Sequence, residues 1–181
     1  MNLPNKLTIF RTLLVPVFIA CFFLEPYLNW WNWLAAALFF IADMTDIVDG
    51  AIARKYNLVT DFGRLMDPMA DKLLFCSAFI MLTGRGMLPP LFTVLFIGRE
   101  LVISAFRLVA VQNGTVIAAN WLGKTKATLQ VIAILFILLD NFGFRWLPFS
   151  FAGVVTHLAA VFTVWSAVDY IVKNRKAVHW A

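Results

Sequence analysis

Polar chemistry is scarce in this chain. Two cysteines and two histidines among 181 residues provide neither a disulfide framework nor a metal-site spacing. Cys21 and Cys76 lie inside apolar runs, where a free thiol behaves as a small hydrophobe. His157 and His179 form no ligand pair and adjoin no serine or cysteine motif. Charge is thin as well: 14% of residues are charged, 62% are hydrophobic, and the mean hydropathy is +0.83. That balance excludes an ordinary soluble domain. No internal repeat, low-complexity tract or linker interrupts the chain, so the expectation is a single membrane domain over residues 1–181.

Crossing the hydrocarbon takes about 20 residues of helix. Six stretches meet that need, at roughly 8–25, 30–54, 64–83, 89–111, 121–140 and 149–172. Several carry polar residues near one end, so a strict hydropathy window under-counts them. The expected fold is therefore all-α, with six transmembrane helices and both termini on one side. Lys6, Arg54, Lys55, Arg64, Lys124, Lys126, Lys173, Arg175 and Lys176 fall on that side, against Arg85 and Arg145 on the other. This asymmetry places the termini in the cytoplasm. Trp30, Trp31, Trp33 and Trp146 then mark the far interface, and Trp121 and Trp180 the near one. The net charge of +5 reflects this asymmetry and attraction to anionic lipid rather than a nucleic-acid partner. Lys6, Arg11 and the apolar run to Cys21 imitate a signal peptide. No good cleavage box follows, so an uncleaved first span is expected.

Against this background the acidic residues stand out. Asp46-x-x-Asp49-Gly50-x-x-Ala53-Arg54 is followed by Gly63-x-x-x-Asp67-x-x-x-Asp71. Asp46 and Asp49 are an i,i+3 pair and Asp67 and Asp71 an i,i+4 pair, so each pair shares one helix face. Carboxylates are costly in lipid-embedded helices and normally face the bundle interior, a partner charge or an ion. Four anions together need a counter-charge, and a hard divalent cation with oxygen ligands supplies it. The competing reading makes these acids buried ion-pair partners of Arg54, Arg64 and Lys72. It leaves Gly50 and Gly63 unexplained. Asp43, three residues before Asp46, shares roughly the same face; it either helps a metal shell or is a hydrogen-bonded helix residue.

These eight positions, spread over 26 residues, resemble the signature of the CDP-alcohol phosphotransferase family, integral membrane enzymes of phospholipid synthesis. The helices bearing the two pairs are expected to be antiparallel neighbours, joined by the short segment from Lys55 to Gly63. Facing pairs can hold two cations about 3.5–4 Å apart, as in two-metal phosphoryl-transfer sites. Gly50 and Gly63 leave space for a ligand or a backbone, Ala53 is small for the same reason, and Arg54 offers a fork to a phosphate oxygen. The resemblance implies Mg²⁺ or Mn²⁺ held by Asp46, Asp49, Asp67 and Asp71, with Asp71 also the general base. It implies CDP-diacylglycerol bound by Asp49, Gly50, Ala53, Arg54 and Gly63, a site facing the cytoplasm, and a homodimer in the cell membrane.

The acceptor alcohol is read elsewhere. The Asn5-x-x-Thr8-x-x-Arg11 start, Gly98-Arg99-Glu100, Arg107 and Trp121-Leu122-Gly123-Lys124-Thr125-Lys126 look like the branch of the family that uses sn-glycerol 3-phosphate. Physically they form an unusual cationic set for a membrane. Arg107, Lys124 and Lys126, with Arg99, Arg11 and Thr8 beside them, are the expected contacts of the acceptor's phosphate. Arg99 can instead pair with Glu100 or Asp61, Arg107 with Glu100, and the lysines can be interface anchors. Inositol phosphate is the competing acceptor. Outside the family, a cation transporter would show metal flux without CMP release, and a non-catalytic scaffold would tolerate loss of all four acids.

Overall fold

The computed structural model of the chain describes residues 3–56, 61–115, 117 and 121–175, with the backbone alone at 3, 4, 47, 49, 51–55, 61, 62, 64 and 65. Six helices account for nearly all of it: α1 (Leu3–Phe23), α2 (Trp31–Lys55), α3 (Asp61–Gly84), α4 (Pro90–Gln112), α5 (Trp121–Leu138) and α6 (Phe151–Asn174). No strand occurs among the described residues. At 1.5 Å per residue these helices are ~27–38 Å long, comparable to a bilayer's hydrocarbon core. Three stretches are long and apolar enough to cross a membrane by length and composition: Asn5–Phe23, Trp121–Leu138 and Phe151–Asn174. The other three helices are as long but carry the charged residues discussed below.

The chain divides into two compact units, Met1–Met87 and Leu88–Ala181. In the first, α1 is the hub: it packs along both α2 and α3, which approach each other much less. The expectation of α2 and α3 as close neighbours is thereby modified, because α1 is the main partner of each. A chain of rings records the packing. Phe18 of α1 meets Phe39 of α2 at 6.0 Å, and Phe39 meets Phe75 of α3 at 5.6 Å, edge-on. Ala35, Ala36, Ala42 and Ala78 are buried around them. Small side chains let helices approach closely where lipid provides no hydrophobic drive. The helix α3 also starts earlier than expected, at Asp61. Gly63 therefore lies inside the helix rather than in the connection.

In the second unit α6 is the hub, with α4 and α5 packed on it. Ile103 and Phe106 of α4 are buried against Tyr170 of α6. Gln130 of α5 reaches Thr163 of α6 at 3.4 Å, both fully buried. The turn between α5 and α6 explains why α5 stops at Leu138. Asp140 and Asn141 adopt positive φ of 49° and 55°, a region that Asp and Asn enter more readily than other side chains. Asn141 then accepts from Ala152 N at 2.7 Å, while Ser150 Oγ accepts from Gly153 N at 3.1 Å. Two of the orphan N–H groups at the start of α6 are satisfied in this way.

Large apolar side chains cover the outside of both units, among them Leu13, Val17, Val94, Leu101, Leu108, Val161 and Trp165. So much exposed apolar surface is normal only where lipid is the solvent. His157 of α6 does what an isolated intramembrane histidine usually does. Its Nδ1 lies 2.8 Å from Gly153 O, and its ring packs edge-on against Phe92. Cys21 is buried and Cys76 half-buried, and both are free thiols. Lys176, His179 and Trp180 lie outside the described residues.

Candidate active site

The acidic signature lies on α2 and α3, and α1 ties the two together. Arg11 Nη1 donates to Asp46 Oδ1 at 2.5 Å, and Thr8 Oγ1 donates to Asp67 Oδ1 at 2.5 Å. Thr8 and Arg11 are three residues apart and so share one face of α1. One face of the hub helix thus touches an acid of each pair. Arg11 is wholly buried while the Asp46 side chain is 43% exposed. The cation is therefore locked in protein and the carboxylate retains an open side. Asp43 is half-buried on the same helix, near enough to Asp46 and Arg11 to feel both charges.

Asp67 and Asp71 are both half-buried, one turn apart on α3. Pro68 lies between them, inside the helix, and removes one backbone N–H directly after Asp67. Gly63 is buried and Gly50 half-buried. The side chains of Asp49, Ala53, Arg54 and Arg64 lie outside the described residues. An apolar groove of about 220 Å³, lined by Leu7, Phe40, Ile41, Met44, Thr45 and Val48, borders the turns of α2 that carry Asp43 and Asp46.

Among the described residues no three acidic, histidine or cysteine side chains converge on one point. The donors that α2 and α3 do offer are carboxylate oxygens, with no thiol or imidazole in the signature. That donor set fits a hard divalent cation. Asp46 already has one positive charge at close range, the buried guanidinium of Arg11.

Thr8 and Arg11 were expected with the acceptor's phosphate. The partners the structure gives them are Asp67 and Asp46, because α1 runs beside both acid-bearing helices. The remaining cations of that expectation lie in the second unit. Glu100 of α4 pairs with Arg99 at 3.1 Å and with Lys126 of α5. Arg99 Nη2 also donates to Ser166 Oγ of α6 at 3.2 Å. Arg107 donates through Nε to Tyr170 Oη at 2.9 Å, its guanidinium carbon 5.3 Å from the centre of that ring. Lys124 is exposed in the first turn of α5. Of the two partners weighed for Arg99, the structure takes Glu100, and it gives Arg107 a tyrosine. Ser166 and Tyr170 escaped sequence reasoning: a lone serine and tyrosine in an apolar helix carry no pattern until α6 places them beside α4.

The structure gives an all-helical chain with carboxylates on two helices packed around a third, and comparison with known proteins supplies the family. Residues 1–165 match the model of the CDP-alcohol phosphatidyltransferase family. The chain belongs to that family. Among its relatives, the CDP-diacylglycerol–glycerol-3-phosphate 3-phosphatidyltransferase of Bacillus subtilis (strain 168) is 41% identical over 98% of this chain and 97% of its own length. The proteins of the same name from Escherichia coli (strain K12) and Salmonella paratyphi A are 35% and 36% identical, over 94% of this chain and 93% of theirs.

The Arg11–Asp46 pair yields a test that needs no substrate. Replacing Arg11 by Met should leave Asp46 without its buried cation and cost roughly 1–3 kcal/mol of stability in chelator-treated protein. Thermal unfolding in detergent measures this. An unchanged melting temperature would mean the pair contributes nothing.

Proposed function

We propose that this chain transfers a phosphatidyl group from CDP-diacylglycerol to sn-glycerol 3-phosphate, giving phosphatidylglycerophosphate and CMP in phospholipid synthesis. One observation carries the reading within the molecule: acids of both signature pairs are held against one helix, by Arg11 and Thr8, in a chain whose relatives of that name match it end to end. The site is assigned to the cytoplasmic face of a cell-membrane protein with six spans and both termini in the cytoplasm. The family's homodimer is the proposed assembly, and residues 1–181 act as one functional domain.

Asp46, Asp49, Asp67 and Asp71 are the proposed ligands of two divalent cations, Mg²⁺ or Mn²⁺. Cations held there would supply positive charge to the diphosphate and to the CMP leaving group. Asp49, Gly50, Ala53, Arg54 and Gly63 receive the CDP-diacylglycerol, the glycines through the absence of a side chain and Arg54 through its guanidinium fork. Asp71 accepts the proton of the acceptor hydroxyl as that oxygen bonds to the lipid-bearing phosphorus and the bond to CMP breaks. Thr8 and Arg11 hold Asp67 and Asp46 in orientation before substrate arrives. Arg107, Lys124, Lys126 and Arg99 supply the charge that favours a phosphorylated alcohol over a neutral one. Catalysis on this scheme is mainly positioning and charge neutralisation.

Three measurements test the scheme. Chelator should abolish CMP release from CDP-diacylglycerol, and Mg²⁺ or Mn²⁺ should restore it; full turnover in excess chelator would remove the cations from the mechanism. Asp71→Asn should lower kcat by ~10²–10⁴-fold at saturating metal, with a smaller effect on substrate binding. Near-normal kcat there would end the assignment of Asp71 as base. In an acceptor panel, Lys126→Ala and Arg99→Ala should each lose ~10–100-fold in kcat/KM for glycerol 3-phosphate while the KM for CDP-diacylglycerol holds. Equal loss for both substrates would move these cations to the diphosphate. A preference for inositol phosphate would keep the family and change the product.

A further inference from the structure

In the second unit one carboxylate serves two cations. Glu100 Oε1 accepts from Arg99 Nη1 at 3.1 Å and from Lys126 Nζ. The side chains of Arg99 and Lys126 are only 12% and 6% exposed, and that of Glu100 is 22% exposed. Two cations of different helices thus converge on one carboxylate oxygen. Arg99 Nε, moreover, is buried with no hydrogen-bond partner among the described residues. An unused buried donor is costly, and an incoming anion relieves it.

What places Lys126 is equally specific. Both α4 and α5 pack on α6 and approach each other little, so the link from Glu100 to Lys126 is a polar bridge between them. Arg99 has a second anchor in Ser166. Lys126 is the sixth residue of α5, and its amine sits on a flexible four-carbon stem. Two like charges in a poorly screened interior repel strongly unless an anion lies between them.

We propose that Glu100 is a positioning residue, whose carboxylate holds Lys126 and Arg99 together so that they meet the acceptor's phosphate as a pair. This rests on the acceptor reading given above. Two effects oppose each other when Glu100 loses its charge. The site becomes more positive, which alone would draw a phosphate in more strongly. The lysine also loses the carboxylate that orients it toward Arg99, and the directed contact the pair would have supplied is lost with it. Loss of position therefore prevails.

The test uses the full chain in mixed detergent–lipid micelles with both substrates varied. Glu100→Gln should raise the KM for glycerol 3-phosphate about 10-fold, with kcat and the KM for CDP-diacylglycerol changing less than ~3-fold. Glu100→Asp keeps the charge but withdraws it by one methylene, and should give an intermediate KM; a purely electrostatic role predicts wild-type behaviour from it. Adding Lys126→Ala to Glu100→Gln should worsen KM much less than the product of the two single effects, because both act through one pair. An unchanged or lowered KM in Glu100→Gln overturns the proposal. So does a joint loss in kcat and both KM values accompanied by a lower melting temperature, the mark of a merely structural residue. Should Lys126→Ala and Arg99→Ala leave the glycerol 3-phosphate KM unmoved, the acceptor reading itself fails. Should they raise it while Glu100→Gln does not, only the positioning role falls.

Discussion

Charge placed inside apolar helices must find a partner, and the rest of this architecture follows from that requirement. A carboxylate or guanidinium at membrane depth has no water to solvate it. Several described charges accordingly have a close polar neighbour: Arg11 with Asp46, Asp67 with Thr8, Arg99 and Lys126 with Glu100, Arg107 with Tyr170. The helices that supply the anchoring groups are the helices on which the others pack. In the first unit α1 carries Thr8 and Arg11 and touches both acid-bearing helices. In the second, α6 carries Ser166 and Tyr170 and receives both α4 and α5. Packing hub and polar anchor coincide because a helix that meets two neighbours can satisfy groups on both.

The hub arrangement bears directly on chemistry. A two-cation site needs carboxylates from different helices held at fixed separation and orientation, since a small misplacement costs orders of magnitude in rate. Had α2 and α3 packed only on each other, small residues at their interface would set that separation. Here Phe39 and Phe75 meet directly, and α1 adds Phe18 against Phe39 and the hydrogen bonds of Thr8 and Arg11. Rings fix the distance between the helices, and hydrogen bonds fix the direction in which the carboxylates point. The open side of Asp46, beside a buried Arg11, leaves the carboxylate able to take a second positive partner without unfolding its support.

Much of this was legible in the residues alone. The helices fell within a few residues of their expected positions because apolar runs of spanning length admit few readings. The four acids were legible because an ionisable group in such a run is costly and so informative. Less legible was which helix lies between which. Hydropathy records that α1, α2 and α3 are apolar but not that α1 touches both partners, so the contacts of Thr8 and Arg11 with the carboxylates are not legible in it. Charge type was read correctly; partnership depends on packing, and side-chain spacing within one helix does not encode it. Ser166 and Tyr170 were invisible for the same reason.

Glu100 shows how the two kinds of information combine. In sequence it is one acid beside one arginine, and a local ion pair explains it completely. In the structure its carboxylate is shared with a lysine 26 residues away, on a helix that α4 otherwise hardly meets. A local pair would satisfy Arg99 whether or not Lys126 existed; a shared one ties the positions of two helices to a single oxygen. The position of that carboxylate between Arg99 and Lys126 is then a property of the fold rather than of any one helix.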